Sequence, residues 1–384
     1  MRYQKSYCLA YVFLILVTLF APAEYSVPLK YAIVPLMLML VLGVIGSGIP
    51  LRIRIRPYFV ICLCWMALAV YTTRNSSIVS WSPAARSFCL LIMLFALLYA
   101  AAPDAHHMHK LKQIYVYLTL FCALWTCFQL FRGVDRQDYM FVTGPRDVNY
   151  LAAFMLPGVY MAVRFAFFEK QEKRTVYFLC IISSCVGILL TQSRAAFITL
   201  LCIAGLSVVE YLAKIKITLR KFVTIAVATV VGVSLFVFIW NSPLFSRLSD
   251  TQHYEEDVRF EIWEFAMDAY YESPIIGSGL GASNALAQMG IERDTHNNYI
   301  DILGDTGIVG MALFVLLSLQ ILWVKKGKRM RMLTFFVACM LPLGFINGLQ
   351  TISFWLPMLL LAHEHQVIES EEEPLVQQNA PEAT

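Results

Sequence analysis

Asp294-Thr295-His296-Asn297-Asn298-Tyr299-Ile300-Asp301-Ile302-Leu303-Gly304-Asp305-Thr306-Gly307-Ile308-Val309-Gly310 is the stretch on which the reading of this chain turns. It closes the longest polar segment of the sequence and opens an apolar run from Met311 to Val324. A histidine followed by two asparagines therefore stands where water gives way to hydrocarbon. Histidines at such borders are commonly solvated or assist a helix end, so the rest of the chain decides whether this one does chemistry.

Of 384 residues, 59% are hydrophobic and only 15% are charged. A soluble domain could not cover its surface with so few charges. Apolar runs of spanning length recur from end to end, nearly free of ionisable groups, as a ~30 Å hydrocarbon core demands. The pattern predicts an all-α, polytopic integral membrane protein with about twelve transmembrane helices and one large external loop. The expected spans are 7–21, 31–47, 57–73, 85–101, 113–131, 149–168, 175–191, 195–213, 222–240, 302–324, 332–347 and 350–363. Residues 1–363 thus form the transmembrane domain. Residues 364–384, with Glu369, Glu371, Glu372 and Glu373, form an acidic tail expected to be disordered in the cytoplasm.

Orientation follows from lysine and arginine. With the N-terminus inside, 20 of the 30 basic residues fall on the cytoplasmic side, and the segment 241–301 is external. The C-terminus is then cytoplasmic as well. Nine of the ten external basic residues are Arg, against nine of the twenty internal ones. Lysine suffices to hold a loop at anionic headgroups, whereas the guanidinium fork matches phosphate or carboxylate oxygens. The excess is either chance in a small sample or the mark of an external face that holds an anion. At the N-terminus, Arg2, Lys5, the apolar run Cys8–Phe20 and Ala21-Pro22-Ala23 imitate a cleavable signal peptide, but a retained first helix is the favoured reading.

All ten cysteines lie in or at the ends of apolar spans, so no disulfide framework is expected. The first external loop, Pro22 to Lys30, holds the single acid Glu24 and cannot offer a metal-binding acidic pair. His106, His107 and His109 are read as part of a solvated cytoplasmic loop, 103–112. In the external loop 132–149, Gly144-Pro145 makes a turn, after which Asp147 or Asn149 can cap the sixth helix. Arg146 and Asn149 can also face a site. Thr191-Gln192-Ser193-Arg194 joins two spans at the external boundary, where apolar hairpins usually avoid charge. Arg194 there is either a snorkelling anchor or an anion ligand beside free backbone N–H groups. A helical pattern over 255–271 carries Arg259 one turn before Trp263 and suits the membrane surface. Gly277-Ser278-Gly279-Leu280-Gly281 permits close backbone approach, and is poor as a nucleotide loop because it follows no strand pattern and lacks a lysine.

In order along the chain stand Ser193-Arg194 on a tight external hairpin, Arg259-x-x-x-Trp263, Gly277-x-Gly279-x-Gly281, and His296-Asn297 leading into Gly307-Ile308-Val309-Gly310. This ordered set resembles the O-antigen ligase and polymerase superfamily of bacterial integral membrane glycosyltransferases. The resemblance covers roughly 144–310 in motif terms. It implies glycan transfer from an undecaprenyl diphosphate-linked donor at the outer face of the cytoplasmic membrane. Arg194 and Arg259 would bind the diphosphate, and His296 would be the base that activates the acceptor hydroxyl. Ser193, Arg146, Asn149 and Asn297 would line the site. The sequence departs from the family where Asp147-Val148-Asn149 replaces an Asp-Pro-Asn, and where Asp305 stands for a glutamate.

The chemistry agrees with these roles. Diphosphate is a good leaving group, so stabilising its charge matters most, and two guanidiniums can do this without a metal. A neutral imidazole can take a proton from a hydroxyl. With no D-x-D motif outside, a metal-independent, inverting displacement without cofactor is expected. The acceptor is a lipid A core sugar for a ligase or a growing glycan for a polymerase, with protein O-glycosylation as a third branch; the ligase reading is preferred. A transporter or flippase, the reading from another class, would bury ionisable groups mid-membrane, and the central portions of these spans contain none. No nucleic-acid partner is expected.

Overall fold

Apolar runs punctuated by prolines and charges fold as helices, and among the described residues no strand is present. The computed structural model describes residues 12, 15–16, 57–80, 83–100, 105–134, 148–169, 174–214 and 254–370. The expected spans at 31–47 and 222–240, most of that at 7–21, Arg146, and residues 371–384 lie outside them.

Helices α1 (Pro57–Arg74) and α2 (Pro83–Ala100) each begin on a proline, whose fixed φ and missing N–H suit a first helical turn. They are followed by α3 (Ala105–Phe131), α4 (Val148–Val163), α5 (Arg174–Leu190) and α6 (Arg194–Lys214). α4 passes directly into a π-helical turn, Arg164–Phe168. The polar segment contributes α7 (Tyr254–Glu272) and α8 (Ala282–Ile291). Last come α9 (Asn298–Leu322), α10 (Arg329–Met340) and α11 (Ile352–Ser370).

Among the described residues, five helices are long and apolar enough to cross a membrane: Pro57–Arg74, His106–Phe131, Val148–Phe168, Arg194–Lys214 and Asn298–Leu322. Leu63, Leu124, Ile198 and Leu319 on these helices are each more than half exposed. Such side chains are costly in water and at home against acyl chains. Buried rings knit the interior. Trp65 of α1 lies 5.5 Å from Phe88 of α2, 6.0 Å from Phe314 of α9 and 5.9 Å from Trp355 of α11. Small residues bring helices close: a Cβ on Gly158 of α4 would strike Thr119 of α3, and one on Gly187 of α5 would strike Ala123.

Three expectations change. His106, His107 and His109 lie in the first two turns of α3, not in a loop. The expected span 332–347 ends as helix at Met340, and a 3₁₀ turn, Leu341–Gly344, follows it. The boundary drawn at His363 falls inside α11, which runs to Ser370. The cause is Glu364, which is 2% exposed and ion-paired with Lys112 and with Arg331, the latter at 2.5 Å. A carboxylate between two cations can be carried inside, where an unpaired one could not.

The same ion pairs gather one end of the bundle. Arg164 and Lys214 meet Glu210 at 2.7 and 2.5 Å, and Tyr160 donates to Arg331 O. These residues belong to the starts of α3 and α10 and to the ends of α4, α6 and α11. At the opposite end the starts of α4 and α9 meet the turn after α10. There Tyr150 donates to Asn347 O, and Asn298 donates to Leu343 O and Ile346 O. The polar segment packs at that second end, against the head of α9. Cysteine labelling in intact cells checks the topology. In a background without reactive thiols, Met289→Cys (70% exposed in α8) reacts with an impermeant maleimide. Gly327→Cys, in the turn before α10, stays unlabelled until the membrane is opened.

Candidate active site

Helix α9 is interrupted. Gly307 has φ 65° and ψ −169°, a conformation open almost solely to glycine. The break deprives Ile308 N and Val309 N of their helical partners, Gly304 O and Asp305 O. The segment 273–281 fills the gap. Ile308 N donates to Pro274 O at 2.9 Å and Val309 N to Ile275 O at 3.0 Å. Ser278 N donates to Gly304 O and Gly279 N to Asp305 O, each at 3.0 Å. Gly277 sits at φ 84°, and a Cβ there would collide with the backbone of Asp305 and Thr306. Gly277 thus serves a backbone-to-backbone joint.

Asp305 completes the joint. Its carboxylate accepts from Gly281 N at 2.7 Å and Ser283 N at 2.9 Å, satisfying donors at the head of α8 where a negative charge is favoured. Helix α1 holds the loop from beneath, because Thr73 Oγ1 accepts from Leu280 N at 3.0 Å and Ser76 donates to Ser278 O.

With α8 and α9 joined, the connection carrying His296 is fixed from both sides. Before it, Thr295 is 2% exposed. Its N–H donates to Asn284 Oδ1 at 3.0 Å, its hydroxyl to Asp301 Oδ1 at 2.6 Å, and its carbonyl accepts from Trp263 Nε1 at 3.0 Å. After it, Asn297 caps α9, its side chain accepting from Tyr299 N at 3.0 Å and Ile300 N at 3.4 Å. Asn298 is fully buried against the turn after α10. Asn284 and Asn347 exchange amide hydrogen bonds of 3.1 and 3.0 Å, tying α8 to that turn. His296 itself has φ 46°, a left-handed conformation a histidine adopts only when its surroundings hold it there. Its ring is half-buried.

The other expected site residues fall into place unevenly. Ser193 is buried and its Oγ accepts from Ala196 N at 3.4 Å, so it caps α6. Arg194, half-buried, opens α6, which reaches the turn after α10 that also receives Asn298. Arg259 is exposed on α7, one turn before the Trp263 whose indole holds Thr295. Asn149 is half-buried inside the first turn of α4, which begins at Val148, so it does not cap that helix. Arg194, Arg259 and His296 therefore stand on three elements around one end of the bundle. Thr295, Asp301, Asn284 and Asn347 were missed. Their one sequence signal is a polar side chain in a short turn or at the rim of an apolar run.

The arrangement presents a histidine whose backbone is fixed from both sides, Arg259 on a helix packed against α8 and α9, and Arg194 at the start of α6, at the rim of a bundle whose flanks are apolar. Fold and site together define a helical integral membrane protein with a polar site built on the segment that precedes α9. Residues 178–315 match the family model described as O-antigen ligase, which supports membership of the O-antigen ligase superfamily. A relative in Haemophilus influenzae, an uncharacterized protein, is 24% identical over 225 residues, which are 51% of this chain and 55% of that one. The matched stretch thus spans about half the length of this curated relative. The family match runs from α5 into α9 and includes Ser193, Arg194, Arg259 and His296, but not Tyr150 or Asn347.

Gly307→Ala tests the joint. The added Cβ meets Gly277 N and Ile275 in a conformation alanine resists, so the protein loses more than ~1 kcal/mol of stability. The readout is a lowered Tm in detergent. Gly327→Ala, where a Cβ meets nothing within 4 Å, serves as the control and leaves Tm unchanged.

Proposed function

We propose that this protein transfers a glycan from an undecaprenyl diphosphate-linked donor to an acceptor hydroxyl, in the manner of an O-antigen ligase. The reaction takes place at the outer face of a bacterial cytoplasmic membrane, with both termini of the chain inside. The observation that carries the reading is the fixation of His296 between Thr295 and Asn298, at the end of the bundle where Arg194 opens α6.

In this reading Arg194 and Arg259 grip the donor diphosphate and stabilise the charge that develops as it leaves. His296 accepts the proton of the acceptor hydroxyl. The acceptor oxygen bonds to the anomeric carbon as the bond from that carbon to the diphosphate oxygen breaks, so configuration inverts and the lipid diphosphate departs. Neither a cofactor nor a metal takes part. Asn149 borders the same end of the bundle, and Asn297 orients the helix head rather than the substrate. Arg146 remains a candidate lining residue from its place in the sequence. The description of the matching family as O-antigen ligase supports ligation over polymerisation of the glycan, and a lipid A core sugar is the acceptor that goes with that reading.

Transfer by purified protein, with lipid-diphosphate glycan and defined acceptors, tests the roles one by one. His296→Ala and His296→Gln both lose at least ~10²-fold in rate, since an amide keeps hydrogen bonding but takes no proton at neutral pH. Donor binding survives in both. Substantial turnover by His296→Gln would reduce the imidazole to a positioning group. Arg194→Lys and Arg259→Lys keep the charge but lose the planar fork, and each falls by more than ~10-fold with expression unchanged. Normal transfer by both would make them interfacial anchors.

A further inference from the structure

The end of the bundle away from His296 contains a cavity of about 440 Å³ that glycan transfer does not use. It is lined by Lys112, Arg164, Lys214, Lys328 and Arg331, drawn from α3, the π-turn after α4, α6, the turn before α10, and α10 itself. We propose that this cavity binds a phosphate-bearing anion, either the headgroup of an anionic phospholipid or a free phosphate compound.

Charge is the first support. Two carboxylates stand behind the cavity, and each is shared by two cations: Glu210 by Arg164 and Lys214, Glu364 by Lys112 and Arg331. Each trio keeps one positive charge. Lys328 adds a third, and Glu169, which lies 3.6 Å from His109, offsets one. Counted as formal charge over these described residues alone, with the histidine left out, the half-open polar space has an excess of two positive charges. Both internal carboxylates are only 3% exposed, so they neutralise the rear of the cluster rather than its open side.

The second support is Arg164. The residue is 8% exposed, lines the cavity, and gives Nη1 to Glu210, while its buried Nε finds no partner among the described residues. A buried guanidinium N–H without an acceptor is costly, and an incoming phosphate oxygen would satisfy it. Its position is not that of an ordinary helical residue. The π-turn, closed by Glu169 N donating to Arg164 O at 3.0 Å, inserts the extra residue that sets this side chain, and such turns concentrate at functional places. Phe168 underlies the site, with Arg164 Cζ 4.4 Å and Lys214 Nζ 5.0 Å from its ring centre.

Depth and size fit the ligand. Trp323, at the end of α9, is 83% exposed two residues before Lys325, as expected of an aromatic at the headgroup level. The volume lies in the range of small-molecule sites, roughly 300–1,000 Å³, so it admits a phosphate together with the glycerol or sugar that carries it.

The full-length protein in neutral detergent provides the test, with Tm followed during titration at constant ionic strength. Inorganic phosphate, glycerol phosphate, a short-chain phosphatidylglycerol and a short-chain phosphatidylcholine are compared with chloride. A rise in Tm with a phosphate compound or with phosphatidylglycerol, absent with phosphatidylcholine and chloride, supports the site. A response to phosphatidylglycerol alone identifies a lipid, and a response to soluble phosphate identifies a free ligand. Lys328→Gln weakens the apparent affinity about tenfold. Arg164→Lys does the same while keeping a cation on Glu210. Equal shifts in wild type and both variants, or no shift beyond chloride, overturn the proposal. None of these readouts depends on glycan transfer, so failure here leaves the catalytic reading standing.

Discussion

The break in α9 at Gly307 and the loop that repairs it are the interaction on which the rest depends. Two helical hydrogen bonds are lost there, and the four backbone groups they leave behind each find a partner in residues 274–279. Inside a bilayer no water is available to do this, so an interrupted spanning helix needs a protein segment to complete it. The loop is therefore part of the helix's own hydrogen-bond account. Once it is seated, Asp305 can reach the head of α8, and α8 returns the chain to His296.

The two ends of the bundle are built by different physics. At the end bearing His296 many hydrogen bonds join neutral groups, Asn284 with Asn347 and Tyr150 with Asn347 exchanging donors and acceptors, while Asp301 and Asp305 accept from hydroxyl and backbone donors. At the other end the groups are ionic, and two buried carboxylates each bind two cations. Neutral pairing fixes a geometry without a large local field. Ionic trios keep a residual positive charge where the helices end, and membranes attract such charge to their anionic leaflet.

Much of this was legible in the residues. Long apolar runs announced the helices. The pattern 255–271 became α7 with its ends displaced by one residue. The glycines at 277, 279 and 281 were readable as close approach, but not what they approach: Gly277 meets the backbone of Asp305 and Thr306, Gly279 meets Thr73 and Ser76 some two hundred residues earlier, and a Cβ on Gly281 would meet nothing within 4 Å. Asp305 looked like a departure from a motif, yet it caps a helix that precedes it in the chain. The end of the last helix was misread for the same kind of reason. Glu364 reads as the first acid of a tail until Lys112, 252 residues earlier, is placed beside it. Local patterns report propensity and period; they are silent about charges neutralised across the fold.

The amide pair between Asn284 and Asn347 has a consequence for the order in which the molecule is made. Chains enter the membrane from the N-terminus as synthesis proceeds, at ~5–20 residues per second. Arg194, Arg259 and His296 have all been synthesised before Asn347 exists. The clamp that steadies Thr295 therefore lacks one jaw, and Asn298 lacks its two carbonyl acceptors, until the last helical hairpin has inserted. A nascent or truncated chain would hold Arg194, Arg259 and His296 without that clamp. The C-terminal hairpin thus comes last in the order of synthesis, and the connection carrying His296 is held from both sides only once it is in place.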